Sequence, residues 1–224
     1  MTDHMAYKAL RAINIKKSAG HDRVPNVIWK TFAFEVALVI RNLYNTSLAE
    51  GLVPAYLKES IVIPTSKVSF PKTIQEYLRP IALTRQLAEI LKGFTLDSLM
   101  KEAGHLIDPK QFSAQGKSTT HALVYLLHNI FPALDRGEIL ARAFFADFSK
   151  GFDLIDHTVI LCNLETLGVN QLLINWIRSF LSHRCQQVKI PGILSPSLKP
   201  HGGIPQGTKL APLLFAILVN NLAS

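Results

Sequence analysis

Residues Ala141–Asp156 read ARAFFADFSKGFDLID, and the rest of the chain is arranged around them. An apolar run from Ala143 to Ala146 ends in a carboxylate, Asp147, as a buried strand does where it leaves a sheet. Asp153 follows behind an aromatic, Phe152. Asp156 then opens a helical pattern that spans His157–Leu167 and stops at Gly168. Two roles are open to Asp147: a strand-end carboxylate facing water, or a carboxylate placed to hold a cation. Asp156 suits a helix N-cap better than a catalyst, because its side chain can accept from the free amides of the first turn.

The bulk properties narrow the field. The 224 residues allow one large domain or two small ones, and at 48% hydrophobic they can bury a substantial core. A formal net charge of +8 favours a polyanionic partner, nucleic acid or an anionic membrane. Two cysteines, Cys162 and Cys185, cannot build a disulfide framework or a zinc ribbon. The N-terminus has no apolar signal core. The longest apolar run, Ala211–Val219, is interrupted by Pro212 and falls well short of the ~20 residues of a membrane span. The expectation is an intracellular protein of the nucleus or cytoplasm, not secreted and with no membrane partner.

Upstream, Lys16, Lys17 and Arg23 surround a Ser18-Ala19-Gly20 turn, and Val27–Gly51 reads as one helix with Phe32, Val36, Val39, Ile40 and Leu43 inside. Glu59–Pro64 and Leu78–Thr84 are β-branched and read as strands. If they pair as a hairpin, Lys67 and Arg79 sit near its mouth, where two cations can grip a polyphosphate. Arg85–Ala103 is amphipathic. The Gly116-Lys117-Ser118 triplet lacks the glycine that a phosphate loop needs five positions earlier, where Gln111 stands. Ser118 or Thr119 instead caps a helix to about Asp135, with Leu123, Leu126, Leu127 and Ile130 inside. Downstream come a helix over Gln171–Ser182, a strand over Gln186–Ile190, a return strand near Ser197–Pro200, and a Gly- and Pro-rich loop. That loop leads into an apolar helix from about Leu210.

Taken in order, SAGHDRVPN, SIVIP, LRPIALT, IDPKQF, GKSTTHAL, FFADFSKGFDLIDH, WIRSFLSHR and GGIPQGTKLAPLLF resemble the reverse transcriptase domain of non-LTR (LINE-like) retrotransposons, collinearly over nearly the whole chain. The resemblance implies an α+β right-hand polymerase fold: fingers over about residues 10–120 and 157–200, an incomplete palm over about 121–156 and 201–224, and no thumb. It implies template-directed dNTP addition by two-metal catalysis, with Mg²⁺ or Mn²⁺ as cofactor and an RNA template, a DNA primer and dNTPs as partners. No protein partner is inferable. Asp147 would be the first catalytic carboxylate and a metal ligand, with the backbone carbonyl of Phe148 as a further ligand. Lys67 and Arg79 would hold the triphosphate, and Phe152 would be the steric gate under the incoming sugar. Gly203-Ile204-Pro205-Gln206-Gly207 would pack near the template base and nascent pair, with Gln206 supplying the polar side chain. Asp153 would hydrogen-bond locally rather than bind metal.

The sequence departs from that family in several places. Lys117 stands where an arginine-bearing loop is common, the strand end reads Pro64-Thr65-Ser66-Lys67, and Ala211 replaces a frequent glycine. The family's second catalytic motif, aromatic-x-Asp-Asp, does not occur: after Asp156 the only acidic residue is Glu165. One carboxylate is a poor site for two divalent cations. Two functions stay open: an RNA-directed DNA polymerase domain that is inactive as this isolated chain, or a truncated, non-catalytic relic that at most binds nucleic acid.

Overall fold

The computed structural model describes residues 1–17, 19–20, 22–70, 72–73, 77–112, 116–137, 142, 145, 147–148 and 151–220. Its elements are α1 (Asp3–Arg11), α2 (Asn26–Thr31), α3 (Ala33–Ala49), β1 (Glu59–Ser66), β2 (Leu78–Thr84), α4 (Gln86–Ala103), α5 (Thr119–Asp135), α6 (His157–Thr166), α7 (Gln171–Leu181), β3 (Cys185–Ile190), β4 (Ile193–Leu194) and α8 (Ala211–Leu218). The fold is mixed α and β, with one four-stranded sheet of order β2-β1-β3-β4 among the described residues. β1 pairs antiparallel with β2 and parallel with β3, and β3 turns back antiparallel into β4.

The core is built where helices α3, α4 and α7 meet. Trp176 of α7 is 1% exposed and donates from its indole nitrogen to Ser47 Oγ at 2.9 Å. Tyr44 of α3 sits edge-on to Phe94 of α4, 5.4 Å between centroids, and its hydroxyl pairs with Thr95 at 3.2 Å. Burial raises the Tyr44 pKa above its ordinary value, outweighing that hydrogen bond. Large aromatic surfaces removed from water supply the driving force, and the polar tips of Trp176 and Tyr44 each find a partner.

Several sequence expectations are corrected here. The single helix expected over Val27–Gly51 is two, because Phe32 leaves helical backbone (φ −93°, ψ 29°). The buried face of α3 is Ala33, Ala37, Ile40, Tyr44 and Ser47, while Phe32 and Val39 are exposed. Small residues let this helix approach its neighbours closely, and hydropathy alone does not reveal such a face. α1 is an element the sequence did not announce; Ala6 and Leu10 are fully buried on it. Leu123 and Leu127 of α5, expected inside, are 55% and 45% exposed, since no described element packs over them. The return strand comes earlier than Ser197–Pro200. Pro191-Gly192 makes a two-residue turn that pairs Ile190 with Ile193, and Leu198 contributes only an isolated bridge to Gln186. Ala143, Phe144 and Ala146, where a strand is expected, lie outside the described residues, as do Ser18 of the first basic turn and Ser113–Gln115 before α5.

Candidate functional site

Phe148 and the stretch 151–156 are held by local hydrogen bonds. At its exit Asp156 caps α6 as expected, its Oδ1 accepting from the Thr158 amide at 2.7 Å. At its entrance the Phe148 carbonyl accepts from the Gly151 amide at 3.3 Å. Between them the rings of Phe148 and Phe152 rest on Phe215 of α8, at 6.1 and 5.0 Å between centroids.

Against this segment lies the loop 200–210. The Gly203 amide donates to Ile155 O at 3.0 Å and the Ile204 amide to Phe152 O at 2.8 Å. The approach is so close that a Cβ on Gly203 would stand 2.6 Å from Asp153 O and 2.7 Å from Phe152 O, and Gly203 has φ +72°. Only glycine fits such a place. The Gly203 carbonyl in turn accepts from His157 Nε2 at 2.8 Å and from Arg184 Nη2 at 2.7 Å. A carbonyl oxygen can only accept, so His157 donates from Nε2.

Gln206 bridges two parts of the fold. Its side-chain amide donates to Asp153 Oδ1 at 3.1 Å, and its carbonyl accepts from the Ala82 amide of β2 at 2.9 Å. Pro205 carries the chain between these anchors, its carbonyl accepting from the Thr208 hydroxyl at 3.1 Å. Gly207 has φ +93° beside Ile81. A cleft of about 270 Å³ opens here between Asp153, Gln206 and Pro80 of β2.

Lys67 and Arg79 lie on the β1–β2 hairpin. Thr65 pairs with Arg79, Ser66 with Leu78, and the Lys67 amide donates to Tyr77 O at 2.8 Å. Arg79 stands on β2 near the loop end of the hairpin, Lys67 follows the last residue of β1, and both are exposed. The hairpin thus forms as the sequence pattern suggests. Asp147 is exposed and outside regular structure, and among the described residues no hydrogen bond or ion pair ties it to the Gln206 loop. No three His, Cys, Asp or Glu side chains gather as a metal cage among the described residues. The Asp147 carboxylate and the Phe148 carbonyl are oxygen donors of the kind that hard divalent cations take.

Arg184 and His157 escaped the sequence search. Arg184 is 7% exposed; its guanidinium donates to Leu181 O at 3.1 Å, Gly202 O at 2.9 Å and Gly203 O. Burial holds its pKa down at about 10. Beneath β2, Lys92 is also enclosed, with its Nζ 2.9 Å from Thr84 Oγ1 and 2.5 Å from Glu89. Desolvation lowers its pKa, against the pull of Glu89.

A family model described as reverse transcriptase (RNA-dependent DNA polymerase) matches residues 70–224. The chain belongs to that family. Among curated proteins it is similar to a probable RNA-directed DNA polymerase from transposon BS of Drosophila melanogaster, 27% identical over 224 residues. That match covers 96% of this chain and 24% of the relative. The RNA-directed DNA polymerase from mobile element jockey of the same fly is 26% identical over 215 residues, 93% of this chain and 23% of the relative. A probable polymerase from transposon X-element is 25% identical over 212 residues, 92% and 23%. The chain therefore spans about a quarter of the length of the relatives it matches, and the LINE-like reverse transcriptase resemblance of its motifs holds. No described helix is long and apolar enough to cross a membrane.

Proposed function

We propose that this reverse transcriptase domain forms the nucleotide- and template-facing part of an RNA-directed DNA polymerase: the fingers and part of the palm, divided as the resemblance implies. The single observation that carries it is the docking of Gln206. One residue is bonded both to β2, three residues from Arg79, and to Asp153, next to Phe152. The loop thus joins the strand that carries Arg79 to the segment that carries Phe152, although they are far apart in sequence. Lys67 and Arg79 hold the triphosphate by charge-assisted hydrogen bonds. Phe152, propped on Phe215, sets the floor under the sugar. Gln206 and the backbone of Gly203, Pro205 and Gly207 face the template side. Bound Mg²⁺ or Mn²⁺ would neutralise charge on the attacking and leaving oxygens, and from this chain Asp147 and the Phe148 carbonyl would be its donors. The partners are an RNA template, a DNA primer and dNTPs.

The isolated chain is expected to bind but not to polymerise, since these residues supply one catalytic carboxylate. Fluorescence anisotropy with a primed RNA template should give an affinity that falls steeply between low and high salt. Adding the complementary dNTP with Mg²⁺ should tighten the complex in wild type and not in Arg79→Ala. Nucleic-acid binding indifferent to dNTP in wild type would instead favour the plain binding module. Asp147-dependent incorporation by the isolated chain would overturn the expected inactivity.

A further inference from the structure

We infer that His157 and Arg184 are positioning residues for sugar discrimination, clamping the Gly203 carbonyl so that Phe152 and Gln206 keep a fixed spacing; the inference rests on the functional reading above. Both side chains converge on one carbonyl oxygen from separate places, His157 from the start of α6 and Arg184 from the connection between α7 and β3. Two donors saturate that oxygen's lone pairs. Arg184 is the more telling. It is buried, yet no carboxylate pairs with it among the described residues, and its three hydrogen bonds all go to main-chain carbonyls. A guanidinium desolvated without a counter-charge costs stability that an apolar side chain would spare. Such an expense marks a place where the backbone position itself matters.

What the clamp holds is defined by three amides. Gly203 N–H to Ile155 O and Ile204 N–H to Phe152 O join the loop to the Phe152 segment, and Ala82 N–H to Gln206 O joins it to β2. Fixing the Gly203 carbonyl therefore fixes the height of the Phe152 ring relative to Gln206. A gate that excludes a 2′-hydroxyl works by sub-ångström fit, so loosening it admits ribose before it abolishes binding. The neutral ring with its proton on Nε2 and the imidazolium both donate here, so the clamp needs no particular charge on His157.

The experiment uses the 224-residue chain on a primed RNA template with Mg²⁺, comparing apparent affinities for dGTP and GTP opposite a template cytosine. His157→Ala should narrow the dGTP to GTP ratio by about fivefold, the worth of one ordinary hydrogen bond. His157→Gln, which can offer an amide donor to the same carbonyl, should recover much of it. Amide exchange at Ile204 and Ala82 should quicken at least about tenfold in His157→Ala, with α7 amides unchanged. Arg184→Lys should show the same pattern more strongly where it folds. A ratio and exchange rates equal to wild type in His157→Ala refute the clamp. Faster exchange with an unchanged ratio refutes its role in discrimination. A wild-type chain that binds no dGTP refutes the functional reading, while the exchange measurement still decides whether the clamp exists.

Discussion

Gly203→Ala tests the docked loop most directly. The substitution adds one carbon at φ +72°, where it would lie 2.6 Å from Asp153 O, 2.7 Å from Phe152 O and 2.9 Å from Asp153 C. All three are backbone atoms, so no side chain can swing away. The left-handed conformation alone costs an alanine about 1–2 kcal/mol. Relieving the clash pulls apart the Gly203–Ile155 and Ile204–Phe152 bonds, at about 1 kcal/mol each. The total expected is about 3–4 kcal/mol. Gly207→Ala is the control. It has the same sign of φ, +93°, but its nearest neighbours would be 3.5 and 3.6 Å away, in ordinary contact. It should lose about 1–2 kcal/mol, from the backbone alone. Urea unfolding followed by the fluorescence of Trp29 and Trp176 reads the difference as a shift in midpoint at constant slope. If the loop detaches without unfolding the core, the loss appears instead as faster amide exchange at Ile204. A Gly203→Ala chain no less stable than Gly207→Ala, with Ile204 as protected as in wild type, would refute the close approach argued above.

Three further substitutions separate roles that neighbouring or buried charges could share. Asp156→Ala should cost about 1 kcal/mol by removing the N-cap of α6, whereas Asp147→Asn should leave stability unchanged and weaken Mg²⁺-dependent dNTP binding; thermal melts beside dNTP titrations check both. Lys92→Met tests the buried ammonium. Burial lowers its pKa below 10.5, so the folded chain releases that proton before the unfolded one does. Across that window the unfolded state holds more protons, and the site's contribution to stability rises with pH. Wild type should gain on Lys92→Met in urea midpoints as pH rises toward the ordinary lysine value of 10.5, and a constant gap would contradict the assignment.

The parts of the fold legible in sequence are those whose signal is local. Ile61, Val62 and Ile63 are all β-branched, and the strand they form pairs antiparallel with Leu78–Thr84 as the hairpin that the pattern suggests. α4 and α7 show long apolar stripes and fall within a residue or two of their expected bounds. α3 was misread where alanine carries the contact: Ala33 and Ala37 are nearly fully buried, while the larger Phe32 and Val39 face out. Size is a poor guide to burial on a helix face made of small residues. α5 shows the converse. Its stripe is present in sequence, but a stripe states only that a helix can bury a face, not that a described neighbour covers it.

The candidate site divides along the same line. Asp156 as cap follows from residue type and position relative to a helix start, whereas the local hydrogen bond expected of Asp153 is replaced by a long-range one. The donor to Asp153 is Gln206, 53 residues away. His157 and Arg184 lie 46 and 19 residues from the carbonyl they share. No periodicity links them, because what they recognise is a backbone oxygen, which every residue carries. The one signal available was chemical: Arg184 sits between the end of an apolar helix and a strand, without an acidic residue near it in sequence. A cation there must either reach water or find carbonyls. Once Leu181 and Phe180 are buried, water is out of reach, and the carbonyls of Gly202 and Gly203 are what the fold brings within its grasp. The loop that carries Gln206 is thus held by the requirement to satisfy a buried charge. The same requirement makes its position insensitive to the identity of most side chains along it.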